Sequence, residues 1–251
     1  MKNIQSSSFQ NSLLVILLSI FTLSCNPDLT IVNNQVSEYN IILPEAADMS
    51  EIKAASMIQR FIYSSTGYKP PIMRDREPET EFEICMGSTN RNSLLKNDKA
   101  DKISSDGYRL VTHGNRLFIY GGSPRGTLNG ACSFLEDFIG VRILSSKVKM
   151  VPEMKKFRIP MEMDTTYNPP IKFRTTHYRD TWNQAYSDWH KLNHNKDGSH
   201  PDWGFWCHSF NTLVPPDEYY ENHPEYYAEV NGNRVPTQLC LTNPDVFDIT
   251  I

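Results

Sequence analysis

The sequence lacks several of the patterns by which common functions are recognised. Its 25 basic and 29 acidic residues give a net charge of −4 and are spread along the chain, without the basic stripe that nucleic-acid-binding proteins present. No cysteine pair has the CxxC spacing of zinc or redox sites, and no HExxH segment occurs. There is no internal repeat and no low-complexity tract. We therefore expect no nucleic-acid partner, no metal site and no cofactor.

The apolar run near the N-terminus is too short to span a membrane. Residues 13–23 are apolar except for Ser19 and Thr22, whereas a spanning helix needs about 20 apolar residues. A lysine precedes the run, and Leu-Ser-Cys25 closes it with a small residue before a cysteine. This arrangement is typical of a bacterial lipoprotein signal peptide, here residues 1–24. We predict acylation of Cys25 and a location in the cell envelope, lipid-anchored to the outer membrane on its periplasmic or surface side. The alternative is an ordinary secretory signal with an unrelated cysteine.

The mature chain begins with a segment that we predict to be a polar tether, residues 25–35. After it, residues 36–160 carry the signals of a compact α/β unit. Ser50 is expected to cap a helix with apolar residues at helical spacing, and Ser123, followed by proline at the first helical position, is expected to cap a second. Cys85 and Cys132 lie in apolar segments and are expected to be buried thiols.

Two strands of this unit are predicted to form a hairpin. Residues 108–112 and 116–120 are rich in apolar and β-branched side chains and flank a His-Gly-Asn turn. The predicted order of elements is strand–helix–strand–strand–strand–helix–strand. Such an order indicates a single sheet with helices packed on a face.

The remainder of the chain has a different composition. Residues 161–170 contain a Pro-Pro pair that cannot continue a helix or a central strand, so we predict a linker there. Residues 171–251 hold all four tryptophans and six of the seven histidines. A strand is predicted at 171–178 and a helix after it. Trp182 and Trp189, seven residues apart on that helix, are expected in the core.

Two groups of short motifs resemble known families. The segments DGYRL (106–110) and GGSPRGTLNG (121–130) are similar to the non-catalytic α/β domain that precedes the catalytic barrel in family 67 α-glucuronidases and in β-N-acetylhexosaminidases. The segments PPDEYY (215–220), HPEYY (223–227) and QLCLTNP (238–244) resemble a group of surface lipoproteins, the domain of unknown function 4838 family.

The resemblance implies a hexosaminidase domain 2-like α/β unit at residues 36–160, followed by a (β/α)₈-type barrel. Residues 171–251 number 81, whereas such a barrel takes about 250. We therefore expect the first two or three β/α units of an incomplete barrel. The predicted function is the N-terminal portion of a glycoside-hydrolase-like protein in polysaccharide degradation, α-glucuronidase-like by resemblance. The alternative is a non-catalytic carbohydrate-binding surface lipoprotein. In either case the partner is a poly- or oligosaccharide.

No catalytic residue is assigned. Glycoside hydrolysis usually needs two carboxyl groups, about 5 Å apart for retention and about 6.5–9.5 Å apart for inversion. In the families that the chain resembles, these acids lie on later barrel strands. The four glutamates between residues 218 and 229 lie along one predicted helix and are interpreted as its solvated face. We expect the chain alone to be inactive.

The candidate substrate-binding residues lie in the aromatic half. Trp203, Trp206 and His208 surround a glycine, and aromatic side chains stack on the apolar C–H faces of sugars; packing is the alternative use. Asp180 follows the first expected barrel strand, where barrel active sites are built, and helix capping is its alternative. Arg179 is a candidate for a uronate carboxylate.

Two further interpretations remain open for this half. Arg174 is a second candidate for pairing with a uronate, with an ordinary salt bridge as the alternative. His190 and His194 lie four residues apart, as zinc ligands on a helix do, but no glutamate stands between them in the required order.

Overall fold

The computed structural model describes residues 27–95, 102–193 and 209–251. These residues fall into two compact units, a first unit that ends at Leu192 and a second unit that begins at Asn193. Within the described ranges, no helix is long and apolar enough to cross a membrane. The predicted signal peptide and Cys25 lie outside the described residues.

The first unit is built around a six-stranded mixed sheet. The strands of the unit, four of which lie in two smaller two-stranded sheets, are β1 (Asp28–Asn33), β2 (Asn40–Leu43), β3 (Ile72–Arg74), β4 (Glu83–Met86), β5 (Tyr108–His113), β6 (Arg116–Gly121), β7 (Arg142–Ile143), β8 (Lys149–Met150), β9 (Lys156–Pro160) and β10 (Asp164–Tyr167). The large sheet has the order β10-β5-β6-β4-β2-β3. Strands β3, β2, β4 and β6 run parallel to one another, whereas β5 and β10 run antiparallel to their neighbours. The predicted hairpin is confirmed as β5–β6.

Two helices cover one face of this sheet, as the sequence predicts. They are α1 (Met49–Thr66) and α2 (Pro124–Phe134), which continues as a π-helical turn over Leu135–Ile139. Alternate strand residues such as Ile84 and Ile119 pack with Ile58 of α1 in the main hydrophobic core. A short 3₁₀ helix (Asn90–Leu94) and its surroundings pack on the opposite face. The result is a mixed α/β unit with its main core between the sheet and the two helices.

The caps explain where these helices begin and end. Ser123 caps α2 as predicted, since its hydroxyl accepts the N–H of Gly126. For α1, however, the cap is Asp48 and not Ser50. The Asp48 carboxylate accepts the N–H of Ser50 at 2.7 Å, and the Glu51 carboxylate accepts the N–H of Asp48 at 2.9 Å, which completes a capping box. Ser50 is therefore the second helical residue.

The predicted tether is in large part a strand. Strand β1 pairs antiparallel with β9 in a separate two-stranded sheet. Leu29, Ile31 and Val32 of this strand are buried in the main core. The tether prediction is therefore wrong from Asp28 onward, because the apolar residues of this short segment pair with a strand more than 120 residues later.

The predicted linker also contains a strand. Strand β10 pairs with β5 at one edge of the large sheet. Buried Arg109 donates two hydrogen bonds to Asp164, of 2.8 and 2.9 Å, and a third to the hydroxyl of Tyr120 at 2.8 Å. These bonds fasten β10 to the sheet. The strand ends before the Pro-Pro pair, which is consistent with the restriction that proline imposes on strands.

A buried ionic network stabilises the sheet from within. The side chain of Glu83 is fully buried in β4 and accepts a hydrogen bond of 2.9 Å from Arg116 of β6. Arg91, 2% exposed, lies 3.4 Å from the same carboxylate and also donates to the carbonyl of Glu77 at 2.8 Å. Burial disfavours the ionised carboxylate, but these hydrogen bonds and that from the N–H of Thr80 outweigh it and hold the pKa of Glu83 below its ordinary value.

The second unit differs from the expected start of a barrel. It contains α4 (Phe210–Leu213), α5 (Pro216–Tyr219), a 3₁₀ helix (Pro224–Tyr226), β11 (Tyr227–Val230), β12 (Asn233–Leu239) and α6 (Pro244–Thr250). Strands β11 and β12 form an antiparallel hairpin around a small core of Val214, Tyr226, Tyr227, Leu239 and Val246. The described parts of 171–251 thus contain no parallel β/α unit.

Candidate functional site

A cleft of about 530 Å³ opens in the first unit between α1, the β7–β8 hairpin and a short helix, α3 (Gln184–Trp189). We call it the α1 cleft. Its lining combines an apolar floor, hydroxyl groups and several cations, contributed by Lys53, Ser56, Met57, Arg60, Phe61, Ile143, Ser145, Ser146, Lys147, Val148, Lys149, Asn183, Ala185, Tyr186 and Trp189. The volume lies in the range of about 300–1,000 Å³ that small-molecule sites occupy.

The floor of the cleft is fixed by α3. Asn183 caps this helix, since its side chain accepts the N–H of Tyr186 at 3.1 Å. Trp189 is 2% exposed and packs edge-on against Phe61 of α1, with ring centroids 5.8 Å apart. The buried carboxylate of Asp188 accepts hydrogen bonds from Lys53 and Gln184. These contacts hold α3 against α1, on the side of the large sheet that the helices cover.

The hairpin forms the opposite wall and is joined to the α3 region by two hydrogen bonds. His190 Nε2 lies 3.0 Å from the carbonyl oxygen of Ile143, and the hydroxyl of Ser146 donates to Asp180. Asp180, a predicted substrate-binding residue, is therefore bonded to a residue of the cleft lining. Asp180 does not follow a barrel strand as predicted, because residues 171–178 form no strand.

Tyr186 presents a neutral phenol to the cleft. Its hydroxyl shares a hydrogen bond of 2.8 Å with that of Tyr178, and its ring lies 4.2 Å from the imidazole of His190, centroid to centroid. The hydrogen bond to Tyr178, together with burial, raises the pKa of Tyr186 to about 12. The residue can therefore stack and form hydrogen bonds near neutral pH, but it does not supply a general base.

The charge of the lining is of one sign. Four cations line the cleft, Lys53, Arg60, Lys147 and Lys149, and the lining contains no Asp or Glu. Lys53 forms an ion pair with Asp188. The other three form no ion pair with any carboxylate in the described part of the chain. The guanidinium of Arg60 lies over the ring of Phe61, 4.8 Å from its centroid.

The other predicted site residues fall in different places. Trp203, Trp206 and His208 lie outside the described residues. Arg179 is exposed in a 3₁₀ helix (Arg179–Trp182) and does not line the α1 cleft. The structure gives Arg174 a structural role instead of an open uronate site, because it donates to Asp106 and to the carbonyl of Lys191.

Sequence reasoning misplaced one tryptophan and missed the cations. Trp182 is 65% exposed, whereas Trp189 is buried as predicted. The seven-residue spacing fails because α3 begins only at Gln184, so Trp182 precedes the helix. Arg60, Lys147 and Lys149 belong to no motif. The only signal in the sequence is the spacing of two residues between Lys147 and Lys149, which is common on protein surfaces.

The paired histidines and the glutamates give no second site. His194 lies outside the described residues, and within 27–95, 102–193 and 209–251 no group of three His, Cys, Asp or Glu side chains is placed to hold a metal ion. The helix expected to carry four glutamates ends at Tyr219. Glu225 and Glu229 therefore lie in a 3₁₀ helix and in β11, and an exposed Glu225 pairs with His223 at 3.1 Å.

Comparison with known proteins finds that part of the chain is similar to a described domain family. Residues 143–251 match the model of a domain of unknown function, DUF4838. This confirms the resemblance to the 4838 family over that part of the chain. No curated protein matches the sequence.

Several solved glycoside hydrolases have similar structures over part of their length. They include a family 115 4-O-methyl-α-glucuronidase with specificity for decorated arabinogalactans (TM-score 0.41, 10% identity, 55% of this chain and 18% of that one). A β-hexosaminidase of Streptomyces plicatus gives a TM-score of 0.42 at 12% identity, covering 67% of this chain and 31% of that one. A chitobiase of Flavobacterium johnsoniae gives 0.41 at 18% identity, covering 66% and 24%. This chain therefore spans less than a third of the length of each.

Proposed function

We propose that this chain is the carbohydrate-binding N-terminal portion of a cell-envelope glycoside-hydrolase-like protein and that it turns over no glycoside by itself. The observation that carries the proposal is the α1 cleft. An aromatic floor with hydroxyl and amide groups at its rim suits a sugar ring, whose C–H faces are apolar and whose edges carry hydroxyls. Tyr186 supplies the aromatic surface, while Arg60 lies over the ring of Phe61, and Ser56, Ser145 and Asn183 supply the polar groups.

The same cleft supports the absence of turnover. Glycosidases hold two carboxyl groups around one bond, one to protonate the leaving group and one to act as nucleophile or base. The lining of the α1 cleft contains neither Asp nor Glu. Its one phenol with a shifted pKa, Tyr186, stays protonated at neutral pH. A sugar bound here would therefore be held and not cleaved.

The wider context of the proposal comes from the sequence. The Leu-Ser-Cys25 motif supports a lipid anchor in the cell envelope. The motifs near residues 106–130 support a place beside a catalytic domain of the α-glucuronidase or hexosaminidase kind. The alternative, a surface lipoprotein whose role is binding alone, shares the cleft and its chemistry. Downstream coding sequence that continues in frame into a barrel supports the first reading, and a stop codon with a stable folded product supports the second.

The test is binding to polysaccharides by the full chain, purified in detergent, in affinity gel electrophoresis. Ser56 is exposed on α1 and lines the cleft, so Ser56→Trp should block it and reduce the retardation by a bound polysaccharide at least about fivefold, a loss of roughly 1 kcal/mol. Ser64→Trp is the matched control, since Ser64 is exposed on the same helix outside the cleft. Retardation by none of a panel of neutral and acidic polysaccharides, or equal effects of both variants, would refute the proposal.

Turnover is measured on the same preparation. Incubation with aryl glycosides and aldouronic oligosaccharides should release no product above the buffer blank, while binding is retained. Release that survives repurification and disappears in Asp180→Asn would place a catalytic site next to Ser146 and overturn the non-catalytic assignment.

A further inference from the structure

We infer that the α1 cleft selects glycans that carry acidic groups, a carboxylate or a sulfate, and that Arg60, Lys147 and Lys149 are the side chains that bind those groups. The inference rests on the proposed function, because it takes a saccharide as the ligand, and it adds the class of saccharide. Arg174 and Arg179, the uronate-binding candidates of the sequence, do not line this cleft.

Positive charge predominates on both walls of the cleft. Arg60 lies on the α1 wall, and Lys147 and Lys149 lie on the hairpin wall, so a ligand in the cleft meets cations on both sides. Two carboxylates that bond to lining residues are already engaged: Asp188 binds Lys53, and Asp180 accepts the hydroxyl of Ser146. The three remaining cations therefore face the cleft without a carboxylate partner among the residues that the structure describes.

Arg60 is held in an arrangement that suits an anion. Its guanidinium stacks over Phe61, which restricts its orientation without using its hydrogen-bond donors. Those donors remain in the fork geometry that matches two oxygens of a carboxylate or a sulfate. An arginine held in this way loses less side-chain entropy when it binds an anion than an arginine that moves freely.

The charge of the other hollows in the same unit varies: one, lined by Phe138, Met154, Lys156, Phe157 and Arg158, also holds cations without a carboxylate, but only two of them. A second hollow at the C-terminal end of α1 is lined by Ser64, Gly67, Glu153, Lys155 and neighbouring residues. There a glutamate accompanies the lysine, so the lining is electrically balanced. The whole chain is also acidic, with a net charge of −4. An extended polyanion such as nucleic acid needs a long basic surface, whereas a compact cluster of three cations beside an aromatic side chain suits an acidic sugar.

The experiment is titration calorimetry on the full chain in detergent, with pairs of ligands that differ only in charge. The pairs are hexagalacturonate with its methyl ester, and a κ-carrageenan hexasaccharide with its desulfated, neutral form. We expect the Kd of at least one acidic ligand to rise about fivefold or more when its acidic groups are blocked or removed, and to rise with salt as screening of exposed charges predicts.

Charge-neutralising variants locate the effect. Arg60→Gln and the double variant Lys147→Gln/Lys149→Gln should each raise the Kd for the acidic ligand about fivefold, because each removes a charge-assisted contact. Lys155→Gln, an exposed lysine of the second hollow, is the control and should leave the Kd unchanged. The three target cations are exposed on the surface, and circular dichroism verifies that each variant is folded.

The outcomes separate this inference from the proposed function. Tight binding of the charged member only in the carboxylate pair, or only in the sulfate pair, supports the inference and identifies the acidic group. Equal binding of charged and neutral members overturns the inference but leaves the proposed function intact. Equal affinity for inorganic polyphosphate overturns it as well, since the cleft would then be a general anion site. Binding of no saccharide at all overturns the proposed function itself.

Discussion

Replacement of Trp189 by alanine tests whether α3 is an integral part of the first unit. From the sequence, residues after 170 are expected to form a separate, barrel-like region. In the structure the Trp189 side chain is 2% exposed, lies against Phe61 and belongs to the main core together with strand residues of the large sheet. If that packing is correct, truncation leaves a cavity beneath the α1 cleft.

The magnitude follows from burial. Truncation of a fully buried Phe or Trp to Ala costs about 3–5 kcal/mol, through lost transfer free energy and the remaining cavity. A domain is stable by only about 5–15 kcal/mol. Trp189→Ala should therefore remove a large fraction of the free energy of unfolding of the first unit. Trp182→Ala is the matched control, because Trp182 is 65% exposed and a surface change costs within about 0.5 kcal/mol.

The assay must report on the first unit alone, because the chain has two units. Urea-dependent hydrogen exchange, read by mass spectrometry on peptides that cover β6, meets this condition. A shift of the β6 unfolding midpoint to lower urea in Trp189→Ala, with no comparable shift in Trp182→Ala, is the expected result. Equal shifts in the two variants would refute the packing of α3 on α1 and, with it, the floor of the cleft.

Three further predictions concern the buried network, the thiols and the anchor. Glu83→Gln should destabilise the first unit by about 3–5 kcal/mol at pH 7, because it leaves Arg91 buried without its carboxylate. The folded-state pKa of Glu83 is depressed, so its contribution to the free energy of unfolding is present above the unfolded pKa of about 4.3 and is lost as the pH falls through the folded pKa. The variant should therefore lose less stability in acid than the parent chain. An equal loss of stability in acid for both proteins contradicts this. Iodoacetamide at neutral pH should label Cys240 before Cys132. A hydrogen bond to Thr242 lowers the pKa of the Cys240 thiol, while burial raises that of Cys132 to about 12. The reverse order of labelling in peptide mass spectrometry would contradict this. Intact-mass analysis of membrane-extracted protein should show acyl chains on a mature N-terminus at Cys25, and an unmodified N-terminus elsewhere would contradict the anchor.

Local signals in the sequence predicted the elements that depend on local interactions. The hairpin β5–β6 and helix α2 lie where expected, because a turn with glycine and a Ser123-Pro cap act over a few residues. Gly140 ends the α2 region in the left-handed conformation, with φ of 82°, as a C-terminal glycine does. Burial of Cys85 and Cys132 also followed from their apolar surroundings.

The errors concern pairings between distant segments. Strands β1 and β10 were taken for a tether and a linker, because neither has a strong local strand pattern. Each forms only because a partner elsewhere in the chain supplies the missing hydrogen bonds, β9 for the first and β5 for the second. The α1 cleft was missed for the same reason. Arg60 and Lys149 are 89 residues apart, and only the folded chain brings their elements together around one space.

Strand β1 has a consequence for the proposed lipid anchor. The carbonyl of Pro27 accepts the N–H of Met161 at 2.9 Å, and the strand itself starts at Asp28. From Cys25 to Asp28 the chain can reach at most about 10 Å when fully extended. The polar headgroup layer of one leaflet is roughly 5–8 Å thick, so this reach is only slightly greater than that thickness. With an acyl group on Cys25, the N-terminal end of strand β1 in the first unit would be held close to the membrane surface. A polymer would then have to come down to the membrane surface to be captured.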